Sequence, residues 1–415
     1  MSPSPSSTIP RLIIHGGAGN ITRSNLSPKS WSLYAASLLR IHNFTLDLLE
    51  KGATALDAAT QAVAMFEDCE LFNCGKGAVF TRDGTNELEA SVMVSRGYHK
   101  RACGVVLVKT VKNPIKLARE MLVRGETDGS GVRSADQSSN PFGGAGGAQG
   151  HSCLGGETVE ELAEEWGLEM VDENYFWTKK RWDEHKRGLH GDTGSQEYLP
   201  QGTVGCVVLD KYGTLCTATS TGGLTNKLPC RIGDTPTIGA GFWAEEWDES
   251  PLESGSRRVQ QPAPGHSLGL GDAVDGFRNL LLGCLPKLHH YQPGSTPPPA
   301  FAEKSSNIRA VAMSGTGNGD SFLRTGAVRT AGAIVRFSPN RSLASAINQI
   351  AGTGGELQRS AGDRWGNGEG EGGIIGIELV DGKGEVVFDF NCGGMFRCWV
   401  DELGKERVMV FKDEY

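Results

Sequence analysis

Thr203 follows Gly202 and opens an apolar run that ends at Asp210, and a second run from Thr214 closes on Thr221. Lys211-Tyr212-Gly213 separates the two. Read as a three-residue hairpin loop with Gly213 left-handed, this spacing pairs Asp210 with Thr214 and counts back to Thr203 opposite Thr221. Directly opposed strand residues stand roughly 4.5–5.5 Å apart at Cβ. Two hydroxyls then face each other at the start of a hairpin, just after a flexible glycine. A cut between Gly202 and Thr203 would make Thr203 an N-terminus and combine nucleophile and base in one residue. Its α-amine, with an ordinary pKa of about 7.7–8.0, could take the hydroxyl proton. Before the cut that nitrogen is an amide, so the uncut chain is predicted to be inactive toward substrate. Thr203 taken alone is an ordinary β-branched strand residue, and its neighbours decide the reading.

Arg231-Ile232-Gly233-Asp234 lies on the loop after the hairpin. Its arginine suits a carboxylate, held bidentately, and its aspartate suits an ammonium, so together they could clamp the two ends of one amino acid. They could equally pair with each other in a turn. Thr316-Gly317-Asn318-Gly319 offers a hydroxyl and unshielded backbone N–H groups suited to an oxyanion hole. It also looks like a phosphate-binding turn, but no GxGxxG follows a strand and no GxxxxGK[ST] occurs. His15-Gly16-Gly17 reads as a structural strand-end turn. His185, His190, His289 and His290 lack metal-ligand spacing, Glu161, Glu164 and Glu165 read as an exposed helix face, and nothing fixes Glu369 and Glu371 for acid–base work.

The elements that must position these groups follow from periodicity and caps. Strands are predicted at 11–14, 87–93, 104–108, 308–313, 373–379 and 385–390, besides the hairpin. Helices are predicted at 28–51, 54–66, 114–123, 158–166, 324–336 and 342–351, with Thr54 and Asp57 at capping-box spacing. Residues 125–150 are rich in Gly, Ser, Asn and Gln and read as a disordered linker; 185–202 read as a mobile tail ahead of the cut. Residues 245–307 read as an insertion with one helix near 272–285. Apolar residues on both faces of the strand after Thr203 imply a sheet covered on two sides.

Composition excludes several classes. The 415 residues carry a formal charge of −8 and no basic run, which argues against nucleic acid. No apolar stretch approaches a membrane span, and MSPSPSSTIPR lacks a signal core, so a cytoplasmic protein is expected. The ten cysteines form no CxxC pair and read as reduced, small apolar residues.

Ordered blocks along both halves resemble the plant-type asparaginase/isoaspartyl peptidase family of N-terminal nucleophile hydrolases. They are HGGAG at His15, LFNCGKGAVFTRDGTNELEASVM at Leu71, GTVGCVVLD at Gly202, TSTGGLTNKLPCRIGDTPTIGAG at Thr219, GTGNGDSFLR at Gly315 and NCGGMFR at Asn391. The resemblance implies a four-layer αββα sandwich of the α/β (α+β) class, cut between Gly202 and Thr203. Residues 1–202 would form the N-terminal subunit and 203–415 the C-terminal one, assembled as a dimer of cleaved heterodimers. It implies Thr203 as nucleophile and base, supported by Thr221. Arg231, Ile232, Gly233 and Asp234, with Asn318 and Gly319, would hold the substrate. Thr316 and Gly317 would form the oxyanion hole, and Asn73 would position the site. No catalytic cofactor is implied; in some relatives a loop matching Phe66, Glu67, Cys69, Phe72, Cys74 and Lys76 binds a structural sodium through carbonyls. The implied reaction is hydrolysis of the side-chain amide of L-asparagine and of β-aspartyl (isoaspartyl) peptides, with no nucleic-acid or membrane partner. Three departures stand out: TGNGD where asparaginases carry TGTGE, Cys230 where a glycine usually precedes the arginine, and NCGG for NTEG. TGNGD is closer to glycosylasparaginases, so hydrolysis of glycosyl-asparagine is the alternative. A threonine endoprotease of the same superfamily and a non-catalytic partner-binding homologue are further ones.

Overall fold

The computed structural model describes residues 8–126, 147–148, 150–191, 202–249, 307–338 and 340–413. The chain divides into one large unit, Met1–Asp248 with Ser305–Tyr415, and a small one, Glu249–Lys304. Most of the small unit, the helix expected near 272–285, most of the 125–150 linker and residues 192–201 lie outside the described residues.

Among the described residues, two sheets build the large unit. The first has eight strands in the order β12-β11-β1-β5-β6-β2-β3-β4. These are β1 (Arg11–Gly19), β2 (Leu88–Val94), β3 (Ala102–Val108), β4 (Cys153–Gly155), β5 (Val204–Leu209), β6 (Leu215–Thr221), β11 (Gly394–Val400) and β12 (Glu406–Met409). The second has four, in the order β10-β9-β8-β7: β7 (Phe242–Asp248), β8 (Ile308–Gly317), β9 (Gly372–Val380) and β10 (Lys383–Phe390). All pairings are antiparallel except β3 with β4.

Period-two alternation sends side chains to opposite faces, and both faces here are apolar. Ile13, Val207, Leu209 and Leu215 of the first sheet meet Phe242, Ala312, Ile375 and Ile377 of the second in one buried core. Ile14, Val208, Ala218 and Val92 turn outward under α1 (Pro28–Glu50), α2 (Ala55–Glu67) and α3 (Pro114–Arg124). On the other side, Val311, Met313, Ile374 and Val387 lie under α7 (Ala327–Phe337) and α8 (Leu343–Ala351). The result is helix, sheet, sheet, helix: the expected four layers. Thr54 caps α2 as its spacing suggested, its hydroxyl accepting the Asp57 N–H at 3.2 Å. Among the described residues no helix is long and apolar enough to cross a membrane.

The structure corrects several boundaries. The mobile tail expected from 185 is helix at its start: α5 (Lys179–Leu189), capped by Thr178, runs through 185–189. The buried residues of this helix are His185 and the ion-paired Arg181 and Glu184, 2.9 Å apart, so hydropathy gives no sign of a buried face. The single helix expected at 324–336 is two, α6 (Gly319–Thr325) and α7, parted where Gly326 takes φ 53°. The strands ending at Phe390 are not the last, since β11 and β12 follow and complete the first sheet. Residues 245–248 belong to β7 rather than to the insertion. The described residues also hold the short helices α4 (Glu157–Glu165) and α9 (Glu356–Ala361).

Candidate active site

The hairpin has the register its turn chemistry predicts. Asp210 N–H donates to Thr214 O at 3.1 Å, Gly213 has φ 78°, and Val204 pairs with Ser220. One further step places Thr203 opposite Thr221. Both threonines are buried, at the end of two central strands of the first sheet.

Thr203 is also bound to the second sheet. Thr316, near the end of β8, donates its hydroxyl to the Thr203 carbonyl at 2.9 Å. Beside it, His15 Nε2 and Ser314 Oγ share a 2.7 Å hydrogen bond from β1 to β8. Gly205 fits between them because it has no side chain: a Cβ there would sit 2.1 Å from Ser314 Oγ and 2.4 Å from His15 Nε2. Burial pushes the His15 imidazole down to about 3, with the Thr203 backbone opposing the shift, so His15 is neutral at ordinary pH. Gly202 is equally confined, since a Cβ there would meet Thr316 Oγ1 at 2.5 Å and Ala18 N at 2.7 Å.

The hydroxyl of Thr203 meets that of Thr235 at 2.7 Å, in buried surroundings. Thr221, opposite in register, accepts the Gly223 N–H at 3.0 Å. Asn73 secures the same corner: its Nδ2 donates to Gly223 O at 2.7 Å, and its Oδ1 accepts the Val79 N–H at 3.0 Å.

A cluster of opposite charges lies on the loop beyond the hairpin. Arg231 Nη2 reaches Asp320 at 3.0 Å, and Glu89 Oε1 accepts the Gly233 N–H at 2.9 Å. A Cβ on Gly319 would lie 2.5 Å from Asp234 Oδ1 and 2.9 Å from Arg231 Nη2, and one on Gly233 would lie 2.7 Å from Arg231 Nη1 and 3.1 Å from Glu89 Oε2. These groups therefore surround two glycines. Among the described residues, Arg231 Nε, Asp234 Oδ2 and Glu89 Oε2 are buried with no hydrogen-bond partner. Unsatisfied buried polar atoms of both signs are costly, and a zwitterionic amino-acid end would satisfy them. Desolvation, then the charge of Glu89, push the Asp234 carboxyl up to about 7, with Arg231 opposing. Burial raises Glu89 as well, against nearby Lys227.

The remaining candidates are placed as follows. Gly317 has φ 143°, and a Cβ on it would lie 2.3 Å from Glu371 O, so only glycine fits beside Thr316. Asn318 caps α6, accepting the Ser321 N–H at 3.1 Å, while Gly319 faces Asp234 and Arg231. Ile232 is exposed. Cys230, the departure before Arg231, adopts φ 67°, which accounts for the glycine usual there. The carbonyls of Phe66, Cys69, Phe72 and Cys74 each accept a loop N–H, and Gly75 packs onto the Glu67 carbonyl. A carbonyl has two lone pairs, so these oxygens retain acceptor capacity for a hard cation.

Sequence reasoning missed Thr235, Glu89, Ser314 and the spacing role of Gly205. Thr235 adjoins Asp234 in Gly233-Asp234-Thr235-Pro236, where a hydroxyl beside the expected substrate clamp was the available signal. Glu89, a carboxylate inside an otherwise apolar strand, was the other.

Comparison with known proteins points the same way. The family model described as "Asparaginase" matches residues 8–129 and 126–248. The isoaspartyl peptidase of Salmonella typhimurium is 31% identical over 396 residues, covering 94% of both chains. That of Escherichia coli is also 31% identical, over 94% of this chain and 92% of its own. The isoaspartyl peptidase/L-asparaginase of Bos taurus is 35% identical over 237 residues, 57% of this chain and 68% of its own. Matched by this family model and aligned with relatives over 94% of its length, the chain belongs to the plant-type asparaginase family of N-terminal nucleophile hydrolases.

Proposed function

We propose that the protein cleaves itself between Gly202 and Thr203 and then hydrolyses the side-chain amide of L-asparagine and of β-aspartyl peptides, releasing L-aspartate. The observation that carries this reading is the meeting of a buried threonine, its carbonyl held by Thr316 of the opposite sheet, with buried polar atoms of Arg231, Asp234 and Glu89 that have no hydrogen-bond partner among the described residues. The names of the relatives, isoaspartyl peptidase and isoaspartyl peptidase/L-asparaginase, support the substrate class.

In self-cleavage Thr203 Oγ bonds to the Gly202 carbonyl carbon, the C–N bond breaks, and the hydroxyl proton ends on the released amine. Water then hydrolyses the ester. In catalysis Arg231 takes the α-carboxylate and Asp234 the α-ammonium of the substrate, which aims its β-carbonyl at Thr203. Thr203 Oγ attacks while its α-amine takes the proton and passes it to the leaving amine. Thr316 and Gly317 stabilise the oxyanion. Water, deprotonated by the same amine, hydrolyses the β-aspartyl ester. Mass spectrometry tests the first step: two fragments meeting at Gly202/Thr203 are expected from wild type and none from Thr203→Ala. Full activity in persistently uncut protein would overturn the mechanism.

The TGNGD block, whose Asp320 pairs with Arg231 at 3.0 Å, is closer to glycosylasparaginases and favours that second reading. Aspartate release from asparagine, a β-aspartyl dipeptide and a glycosyl-asparagine, compared side by side, separates the two. The proposal includes a dimer of cleaved heterodimers in the cytoplasm. It also includes a structural sodium held by the carbonyls of Phe66, Glu67, Cys69, Phe72, Cys74 and Lys76, which should make thermal stability depend on sodium rather than on choline chloride of equal strength.

A further inference from the structure

Thr235 occupies a position that the roles assigned so far do not use. Its side chain is fully buried and its hydroxyl lies 2.7 Å from that of Thr203. The backbone that carries it is fixed from several directions. Its carbonyl accepts Ser91 Oγ at 2.6 Å and Thr219 Oγ1 at 3.2 Å, and those two hydroxyls meet each other at 2.6 Å. On one side the Asp234 carbonyl accepts the N–H groups of Thr237 at 3.0 Å and Gly241 at 3.1 Å. On the other, the Pro236 carbonyl packs so closely on β3 that a Cβ at Gly104 would lie 2.6 Å from it. A hydroxyl on so constrained a segment presents its O–H in one place, the condition for a preorganised hydrogen bond.

Resting on the self-cleaving threonine reading above, we propose that Thr235 is a catalytic residue whose hydroxyl donates to Thr203 Oγ and holds it in the rotamer that attacks. The direction of donation follows from the chemistry. Thr203 Oγ must surrender its own proton to an amine as its bond to the carbonyl carbon forms. A donor aimed at Oγ stabilises the growing negative charge without competing for that proton, whereas an acceptor would hold the proton back. Thr235 keeps its proton throughout, so the balance of the reaction is unchanged. Thr235 directly follows Asp234, so the residue that would hold the substrate ammonium and the residue that orients the nucleophile share one rigid turn. Binding and nucleophile alignment are thereby set by the same backbone.

The test compares Thr235→Val, which keeps the shape and removes the hydroxyl, with Thr235→Ser, which keeps the hydroxyl. Time courses of self-cleavage and steady-state kinetics of the cleaved enzyme are measured beside wild type and Thr203→Ala. Thr235→Val is expected to slow cleavage and lower kcat roughly 10- to 100-fold with KM little changed, the effect of one lost hydrogen bond to a developing charge. Thr235→Ser should recover most of both. Thr235→Val equal to wild type, or Thr235→Ser as impaired as Thr235→Val, would overturn the role of the hydroxyl while wild-type cleavage left the underlying reading intact. An uncut, fully active wild type would instead remove both. Should Thr235→Val fail to fold, Thr235→Ala against Thr235→Ser decides by the same comparison.

Discussion

Thr316 Oγ1 donates to the carbonyl of Thr203 at 2.9 Å, a bond from the end of one sheet to the start of the central hairpin of the other. The hydroxyl that fixes the backbone of the proposed nucleophile is therefore the one proposed for the oxyanion. Thr316→Val keeps the shape and loses the donor. It should lower kcat about 10²- to 10³-fold with a much smaller change in KM, as expected when one oxyanion donor is lost. Thr316→Ser should restore most of the rate. A loss confined to KM in steady-state assays would place Thr316 in ground-state binding instead.

Gly205 sets how closely the sheets approach behind that bond. A methyl at this position would lie 2.1 Å from Ser314 Oγ and 2.4 Å from His15 Nε2, and both neighbours are buried. Gly205→Ala should therefore cost about 1–3 kcal/mol in chemical denaturation, the usual range for overpacking. Adding Ser314→Ala should return part of the loss, because the His15 contact remains. An unchanged midpoint for Gly205→Ala would show that the two sheets can separate freely there.

Substrate affinity should follow the ionisation of Asp234. Burial and the nearby Glu89 push its carboxyl up to about 7, against Arg231, with Asp320 adding to the rise. Below that pH it is neutral and loses its attraction for an ammonium, so KM for asparagine should rise as pH falls from 8 to 6. Glu89→Gln should move the break to lower pH, since it removes a negative neighbour. The effect on stability has the opposite sense. A folded pKa above the ordinary value of 3.8 means that the native state holds the proton more tightly. The contribution of this group is then lost as pH rises from about 4 through 7, and Asp234→Asn should remove that slope from denaturation midpoints. A KM profile that is flat from pH 6 to 8 would mean that Asp234 does not meet the ammonium.

What could be read from the sequence was local. The hairpin register followed from a three-residue loop ending in Gly213 and from strand alternation, both short-range signals. The helix caps at Thr54 and Asn318 are of the same kind, though only the first was recognised. Residues brought together by tertiary structure left weaker traces. Thr235 is 32 positions from Thr203 and sits in what reads as a turn. Glu89 lies in β2, far along the chain from the arginine it faces. The four layers came from resemblance, because alternation shows that a strand has two covered faces without showing what covers them. The polar helix α5 escaped notice because it buries charge rather than hydrocarbon.

Arg181 and Glu184 are almost fully enclosed at 2.9 Å, and Arg181 also donates to Gly77 O at 2.7 Å and Leu71 O at 3.2 Å. The loop so held carries Asn73, which in turn fixes Gly223 next to the catalytic corner. Arg181→Met leaves Glu184 buried without its cation and should cost about 3–5 kcal/mol. Arg181→Met with Glu184→Met removes both charges and should regain most of the stability, because an apolar pair avoids the desolvation penalty. The double variant still lacks the two carbonyl anchors, so kcat should stay below wild type even where the midpoint recovers. If stability and activity returned together, the ion pair would matter only for the stability of α5, and Arg181 would not support the loop beneath the active site.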